Sequence, residues 1–261
     1  MGSSAFIYIA GPCVIESEEL TLEIARSLKQ MTASHPVQFV FKASYDKANR
    51  TSLSSFRGPG IEEGLRILQA VKDEVGVPVL SDVHDVHDIE RAAETLDIIQ
   101  IPAFLSRQTD LLVEAARTGK TINIKKAQFM APEDVQYAVD KVVQSGNDDI
   151  LITERGTVLG YNTLVVDFRS FSILRATGFP VIFDATHAVQ IPSRGGRSSG
   201  NREFILPLAR AGAAYGIDGL FTEVHPDPDQ ALCDGPNALH LDTVPELLQS
   251  VLAIRGCLSE N

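Results

Sequence analysis

One pattern recurs eight times along the chain: a short β-branched or apolar run, a polar loop, then an amphipathic stretch. The runs are "FIYIAG", "VQFVFK", "PVLSD", "DIIQIP", "INIKK", "ILITE", "VIFDAT" and "GLFTE". Helical spacing follows each, as in residues 18–28, 132–143 and 243–254. Strands that alternate with helices pair in parallel and cross over right-handed. Eight such units in 261 residues match the ~250 residues typical of a closed eight-stranded barrel. A doubly wound open sheet would use fewer strands, and no glycine-rich dinucleotide fingerprint follows the first one. No low-complexity linker divides the chain. The expectation is an α/β protein, a single (β/α)8 TIM barrel over residues 1–261.

Composition narrows the functional classes. No apolar run approaches the ~20 residues that cross a bilayer, and "MGSSAFIYIAGP" lacks the basic start of a signal peptide. Three widely spaced cysteines, Cys13, Cys233 and Cys257, do not form a disulfide framework and suit the reducing cytoplasm. A net charge of −11 disfavours nucleic-acid and anionic-membrane partners.

A barrel places chemistry at the C-terminal ends of its strands. Those positions hold Cys13, Lys42, Asp82, Gln100, Lys125, Glu154 with Arg155, Asp184 with His187, and Glu223. Strands seven, eight and one are neighbours in a closed barrel. They bring together His187, Glu223 and Cys13, and the loop after strand eight adds Asp234. Thiolate, imidazole and two carboxylates on one arc suit a divalent metal such as Fe2+, Zn2+ or Mn2+. Each residue also has an ordinary reading: the thiol as a packed small hydrophobe, the imidazole as a hydrogen-bonding group, the carboxylates as caps. In "DVHDVHD" (82–88), His84 and His87 imitate ligand spacing. They fall well round the barrel from strand one, and Asp85 and Asp88 suit the opening of a helix.

Cations cluster at the same end. Lys42, Lys47 and Arg50 leave strand two among Ser44, Asn49 and Thr51. Lys125 and Lys126 end strand five, Arg155 follows strand six, and Arg107 with Gln108 follows strand four. Such groups bind phosphates and carboxylates, so the substrate set is expected to be polyanionic. A Schiff-base role for Lys125 or Lys126 competes with anion binding. The glycine-rich, basic loop 190–203 is read as a lid over anions, with an ordinary flexible loop as the alternative.

The stretches "FKASYDKANR", "IQIPAFLSRQTDL", "INIKKAQF", "GYNTLVVDFRS", "DATHAVQ" and "HPDPDQALCDGPNAL" resemble the 3-deoxy-D-manno-octulosonate 8-phosphate synthases, from about residue 7 to 255. "KANR" is the sharpest marker, since the related synthases using erythrose 4-phosphate carry Lys-Pro-Arg there. "KANRTS" departs from the commoner Lys-Ala-Asn-Arg-Ser-Ser only at Thr51, which keeps the hydroxyl. The resemblance implies condensation of phosphoenolpyruvate with arabinose 5-phosphate in a cytoplasmic homotetramer serving lipopolysaccharide synthesis. It implies that Lys42, Ser44, Gln100, Ala103, Lys125 and Arg155 hold phosphoenolpyruvate. Lys47, Asn49, Arg50 and Thr51 would hold the sugar phosphate, joined by Arg107 and Gln108 of a neighbouring subunit. Lys42, Lys47, Asp82, Lys125 and His187 are the expected catalytic residues. Metal-dependent members have a cysteine after the first strand, and metal-independent ones have asparagine. Gly11-Pro12-Cys13 therefore implies a metal held by Cys13, His187, Glu223 and Asp234. The "CDGPNAL" stretch resembles both classes, so Cys13 alone separates them. The erythrose 4-phosphate enzyme, a Schiff-base aldolase and a phosphosugar-binding module remain open as alternatives.

Overall fold

The computed structural model describes residues 5–50, 52–191 and 199–259. Eight parallel strands form the barrel: β1 (Phe6–Gly11), β2 (Val37–Lys42), β3 (Val79–Asp82), β4 (Ile98–Ile101), β5 (Thr121–Lys125), β6 (Ile150–Glu154), β7 (Val181–Asp184) and β8 (Gly219–His225). Neighbours pair in sequence order, and β1 closes the ring on β8 in a register from Ile7↔Gly219 to Gly11↔Glu223. Every run read as a strand from the sequence is one. Helices alternate with them: α1 (Glu18–Thr32), α2 (Ile61–Val75), α3 (Val86–Thr95), α4 (Thr109–Arg117), α5 (Val135–Gln144), α6 (Arg169–Arg175), α7 (Ile205–Tyr215) and α8 (Val244–Ser259). No described helix is long and apolar enough to cross a membrane.

The two-residue period of a strand sorts its side chains. One parity faces the helices and builds the main core, with Tyr8, Phe41, Ile99, Ile122, Ile152 and Phe183 packing there. The other fills the barrel with Ile9, Val40, Leu80, Ile98, Leu151, Ile182 and Phe221. Two residues further along the same strands come Gly11, Lys42, Asp82, Gln100, Thr153, Asp184 and Glu223. The site is thus the polar top layer of an apolar plug.

Local signals set the edges. Ser17 caps α1 by accepting the Leu20 amide at 3.2 Å, ahead of Glu18 and Glu19. Asp85 caps α3 by accepting the His87 amide at 2.9 Å, as the acidic spacing of 82–88 suggested. The helix expected over 132–143 opens instead as a 3-10 turn at Pro132–Asp134, where proline supplies no amide. Gly11 permits the closest strand approach. A β-carbon there would lie 2.0 Å from the Lys42 carbonyl oxygen, so any larger residue would force β1 and β2 apart beneath the site. Three small pairings escape the eightfold reading: a hairpin at 157–165, an antiparallel pairing of Gln190–Ile191 with Ser199–Gly200, and Leu239–His240 running beside the top of β8.

Candidate active site

A cavity of about 980 Å³ opens at the C-terminal mouth of the barrel. That is the upper end of the range for small-molecule sites, roomy enough for two metabolites side by side. Lys42, Lys47, Arg50, Lys125 and Arg155 line it, together with Asp82, His187, Glu223 and Asp234.

The four donors expected from strands seven, eight and one fall into two groups that share Asp234. His187, Glu223 and Asp234 offer ligand atoms within 4.8 Å of one another, and so do Cys13, Cys233 and Asp234. Asp234 Oδ2 links the two groups, 3.9 Å from His187 Nε2 and 3.7 Å from Cys13 Sγ. Ligands at about 2.0–2.3 Å from a common ion stand roughly 3–4 Å apart, so these separations fit a divalent metal. Asp234 Oδ1 is buried without a hydrogen-bond partner, an arrangement proteins avoid unless something binds there. Asp234 is also the one non-glycine residue at positive φ among the described residues, at 49°. Its turn is packed so closely that a β-carbon on Gly235 would meet the Pro228 carbonyl at 2.2 Å. The backbone therefore holds the carboxylate in place at some conformational cost. His187 is oriented from behind, its Nδ1 2.7 Å from Asp184 Oδ2, which leaves Nε2 facing the cluster.

Two buried ion pairs anchor the cations. Lys42 Nζ lies 2.7 Å from Glu223 Oε1, and both side chains are 1% exposed. The same ammonium donates to the Cys13 carbonyl at 2.7 Å, tying the thiol-bearing loop to β2. Lys125 Nζ lies 2.5 Å from Asp184 Oδ2 and sits over the Phe221 ring. Burial lowers the Lys125 pKa below the ordinary lysine value, and Asp184 offsets this only in part. Lys47 goes the other way. Burial opposes its charge, but Cys13, Asp82, Glu223 and Cys233 outweigh that and raise its pKa well above 10.5. Lys47 is thus a fixed positive charge, and Lys125 is the lysine that releases a proton more readily. Burial pushes the Cys13 thiol up, reinforced by Cys233, while Lys47 opposes the rise.

Other sequence expectations fall out differently. Asn49 and Ala103 line the cavity. Ser44 lies beneath it, donating its hydroxyl to Asp82 Oδ1. Arg107 and Gln108 are exposed and do not line the cavity. Thr51 and residues 192–198 of the expected lid lie outside the described residues. Lys126 and Glu154 belong to the outward parity, so they leave the mouth and pair with each other at 3.4 Å under the loops. Lys126 does not line the cavity, its side chain being 0% exposed, which leaves Lys125 as the lysine available to the Schiff-base alternative. His84 joins no donor cluster among the described residues, yet it reaches the cavity and bonds Asp82 Oδ2 at 3.1 Å.

Sequence reasoning passed over Cys233, whose Sγ lies 3.0 Å from Cys13 and accepts from Arg50 at 2.6 Å. It also passed over Gln190, which accepts from Arg155 at 3.0 Å. The only available signals were the proximity of Cys233 to Asp234 and of Gln190 to His187.

The acid limb of stability follows from three carboxylates. Burial works against the charge of Asp82, Asp184 and Glu223, but neighbouring cations win and hold all three below their ordinary values. Lys47 and His84 act on Asp82, His187 and Lys125 on Asp184, and Lys42, His187 and Lys47 on Glu223. A depressed folded pKa stabilises above the unfolded value and is lost as pH falls toward the folded one. Denaturant midpoints of chelator-treated protein should therefore drop steeply below about pH 4, approaching ~1.4 kcal/mol per pH unit for each carboxylate. A flat profile down to about pH 3 would show that these pairs do not hold their protons off.

The fold and the cavity define a barrel enzyme whose mouth joins a cationic surface to a cluster of metal-ligating side chains. The particular lineage is equally plain: a profile of the DAHP synthetase I family matches residues 2–255, and the chain belongs to that family. It is 58% identical over 254 residues to the 2-dehydro-3-deoxyphosphooctonate aldolase of Geobacter sulfurreducens, covering 97% of this chain and 93% of that one. It is 58% identical over 261 residues to the enzyme of the same name from Syntrophotalea carbinolica, covering 100% and 94%. The Geobacter sp. M21 aldolase is 55% identical over 260 residues, covering 99% and 95%.

Proposed function

We propose that the protein condenses phosphoenolpyruvate with D-arabinose 5-phosphate and water, forming 3-deoxy-D-manno-octulosonate 8-phosphate and inorganic phosphate for lipopolysaccharide synthesis in the cytoplasm. The observation that carries the reading is the meeting of five cations with His187, Glu223 and Asp234 in one cavity, to which Cys13 is joined through Asp234. Relatives above half identity bear the matching aldolase name.

In the reaction, C3 of phosphoenolpyruvate bonds to the sugar aldehyde carbon while water adds at C2. The resulting tetrahedral centre then expels phosphate by C–O cleavage. Two polyanions repel each other in water, and the chain's first task is to hold them together. Lys42, Lys125 and Arg155, with Gln100 and Ala103, form the phosphoenolpyruvate end. Lys47, Asn49, Arg50 and Thr51 hold the sugar phosphate, and Arg107 with Gln108 serve the neighbouring site in a homotetramer. Lys47 keeps its charge throughout and screens the forming bond. Lys125, held against the Asp184 carboxylate, donates a proton at the phosphate end as charge builds there. Asp82, backed by Ser44 and His84, accepts from the sugar hydroxyls. Cys13, His187, Glu223 and Asp234 would hold Fe2+, Zn2+ or Mn2+, which supplies Lewis acidity and a fixed point for substrate oxygens.

Chelator-stripped protein, assayed for phosphate release, should be inert with phosphoenolpyruvate and arabinose 5-phosphate until a divalent ion is returned. Erythrose 4-phosphate should be a poor substitute. Preference for the four-carbon sugar would move the protein to the sister activity. Borohydride inactivation that requires a keto substrate would favour a Schiff base on Lys125. No phosphate release with either sugar would refute the condensation altogether.

A further inference from the structure

Below the cavity floor, three buried polar side chains from consecutive strands form a ladder. Thr153 Oγ1 on β6 donates to Asn123 Oδ1 on β5 at 2.7 Å. Asn123 Nδ2 in turn donates to Gln100 Oε1 on β4 at 3.0 Å. Asn123 and Thr153 are 0% exposed and Gln100 is 3% exposed. Only Gln100 lines the cavity.

The ladder has a direction, and the direction has a consequence. A primary amide is a donor at one end and an acceptor at the other, in nearly identical shapes. Left to itself, Gln100 presents either end upward. Occupying Oε1 from below turns the NH2 group toward a cavity lined by Lys42, Lys125 and Arg155. An amide NH2 adds to that field, whereas a carbonyl oxygen would repel the anion these cations attract. In parallel strands Gln100 and Asn123 are directly opposite in register, so the contact is built into the sheet. Asn123 shares the inward parity of the barrel-filling residues, standing opposite Gln100 and Leu151, and the filling residues of the neighbouring strands are apolar, Ile98 and Leu151 among them. Its polarity therefore needs a reason.

We infer that Asn123, held by Thr153, is a positioning residue that fixes the Gln100 amide with its donor end toward the phosphoenolpyruvate anion. The inference rests on the reading of that end of the cavity as the phosphoenolpyruvate site. Asn123 touches no substrate and acts only through Gln100.

The test is a double-mutant cycle of Asn123→Asp and Gln100→Leu, read by calorimetric titration with phosphoenolpyruvate and by steady-state kinetics. A carboxylate at 123 accepts from both sides, so it draws the Gln100 NH2 downward and turns its oxygen to the anion. Asn123→Asp should weaken phosphoenolpyruvate binding and raise its KM about tenfold or more, the worth of one hydrogen bond to a charged group. The change in kcat should be much smaller. In the Gln100→Leu background the same substitution should have almost no further effect, because its only route of action is gone. Thr153→Val removes only the far hydrogen bond and should show a weaker form of the same non-additive pattern. It keeps the cycle readable if Asn123→Asp folds poorly. Additive losses, or a fall in kcat with KM unchanged, would overturn the ladder while leaving the substrate reading intact. Unmodified protein that does not bind phosphoenolpyruvate would overturn both.

Discussion

Lys42→Met is expected to lose stability and catalysis together, whereas Lys42→Met/Glu223→Gln should regain stability alone. Methionine matches the lysine stem in length, so packing survives and only the charge is removed. Glu223 would then sit 1% exposed without the ammonium that now stands 2.7 Å away. Breaking one side of a buried pair costs about 3–5 kcal/mol, mostly the burden of the stranded charge. Burial already pushes the Glu223 pKa up and is overcome first by Lys42, then by His187 and Lys47. Without Lys42, Glu223 shifts toward its protonated form and ceases to be a strong donor beside His187. The Cys13 loop also loses the hydrogen bond that its carbonyl accepts from Lys42. Activity should fall on the order of a thousandfold, the scale of losing an aimed charge in a closed site. Thermal melts and phosphate-release kinetics of the two variants decide the matter. Equal melting of single and double variants would show that the pair does not carry stability.

The eightfold rhythm made the barrel legible because buried parallel strands must read as short apolar runs between helices. Barrel closure then made the meeting of thiol, imidazole and carboxylate groups around Asp234 legible, since strands eight and one become neighbours however far apart they lie in the chain. Which strand-end residue points inward depends on parity, and here the reading was incomplete. Lys125 and Lys126 are adjacent, so one enters the cavity and the other goes under the loops to Glu154. The alternation Ile122, Ile124, Lys126 carried that information. His84 was set aside because its surroundings spell a helix start. They do, but the helix begins at Val86 behind the Asp85 cap. His84 thus remains in the mouth, bonded to Asp82. Partnerships such as Lys42 with Glu223, 181 positions apart, depend on side-chain reach across the ring. Asn123 is the limiting case. A lone polar residue in the middle of a strand has no local signature, and its role emerges only when Gln100 and Thr153 are seen on either side.

Cys13→Ala should abolish metal-dependent activity, leaving less than about a hundredth of the original rate, and should also lower the metal retained after gel filtration. The thiol comes from the loop after β1, the carboxylate of Asp234 from the loop after β8, and the imidazole from just beyond β7. Removing Cys13 therefore takes away, among the described residues, the only donor on its side of Asp234 except Cys233. Cys233 is held by Arg50, which donates to its sulfur at 2.6 Å, and so is tied to the Arg50 side of the cavity. Its sulfur shares the donor group with Asp234 but is already engaged by Arg50, so Cys13→Ala/Cys233→Ser should be no worse than Cys13→Ala. Replacement of exposed Cys257 serves as the control for thiol loss elsewhere. Metal content and phosphate release need to be measured on the same samples, because they separate two outcomes. A variant that loses metal and activity together makes Cys13 a ligand on which catalysis depends. A variant that loses metal but keeps its rate after chelation would leave Cys13 a ligand to a metal the reaction does not need, and the substrate chemistry would rest with Lys42, Lys47 and Lys125.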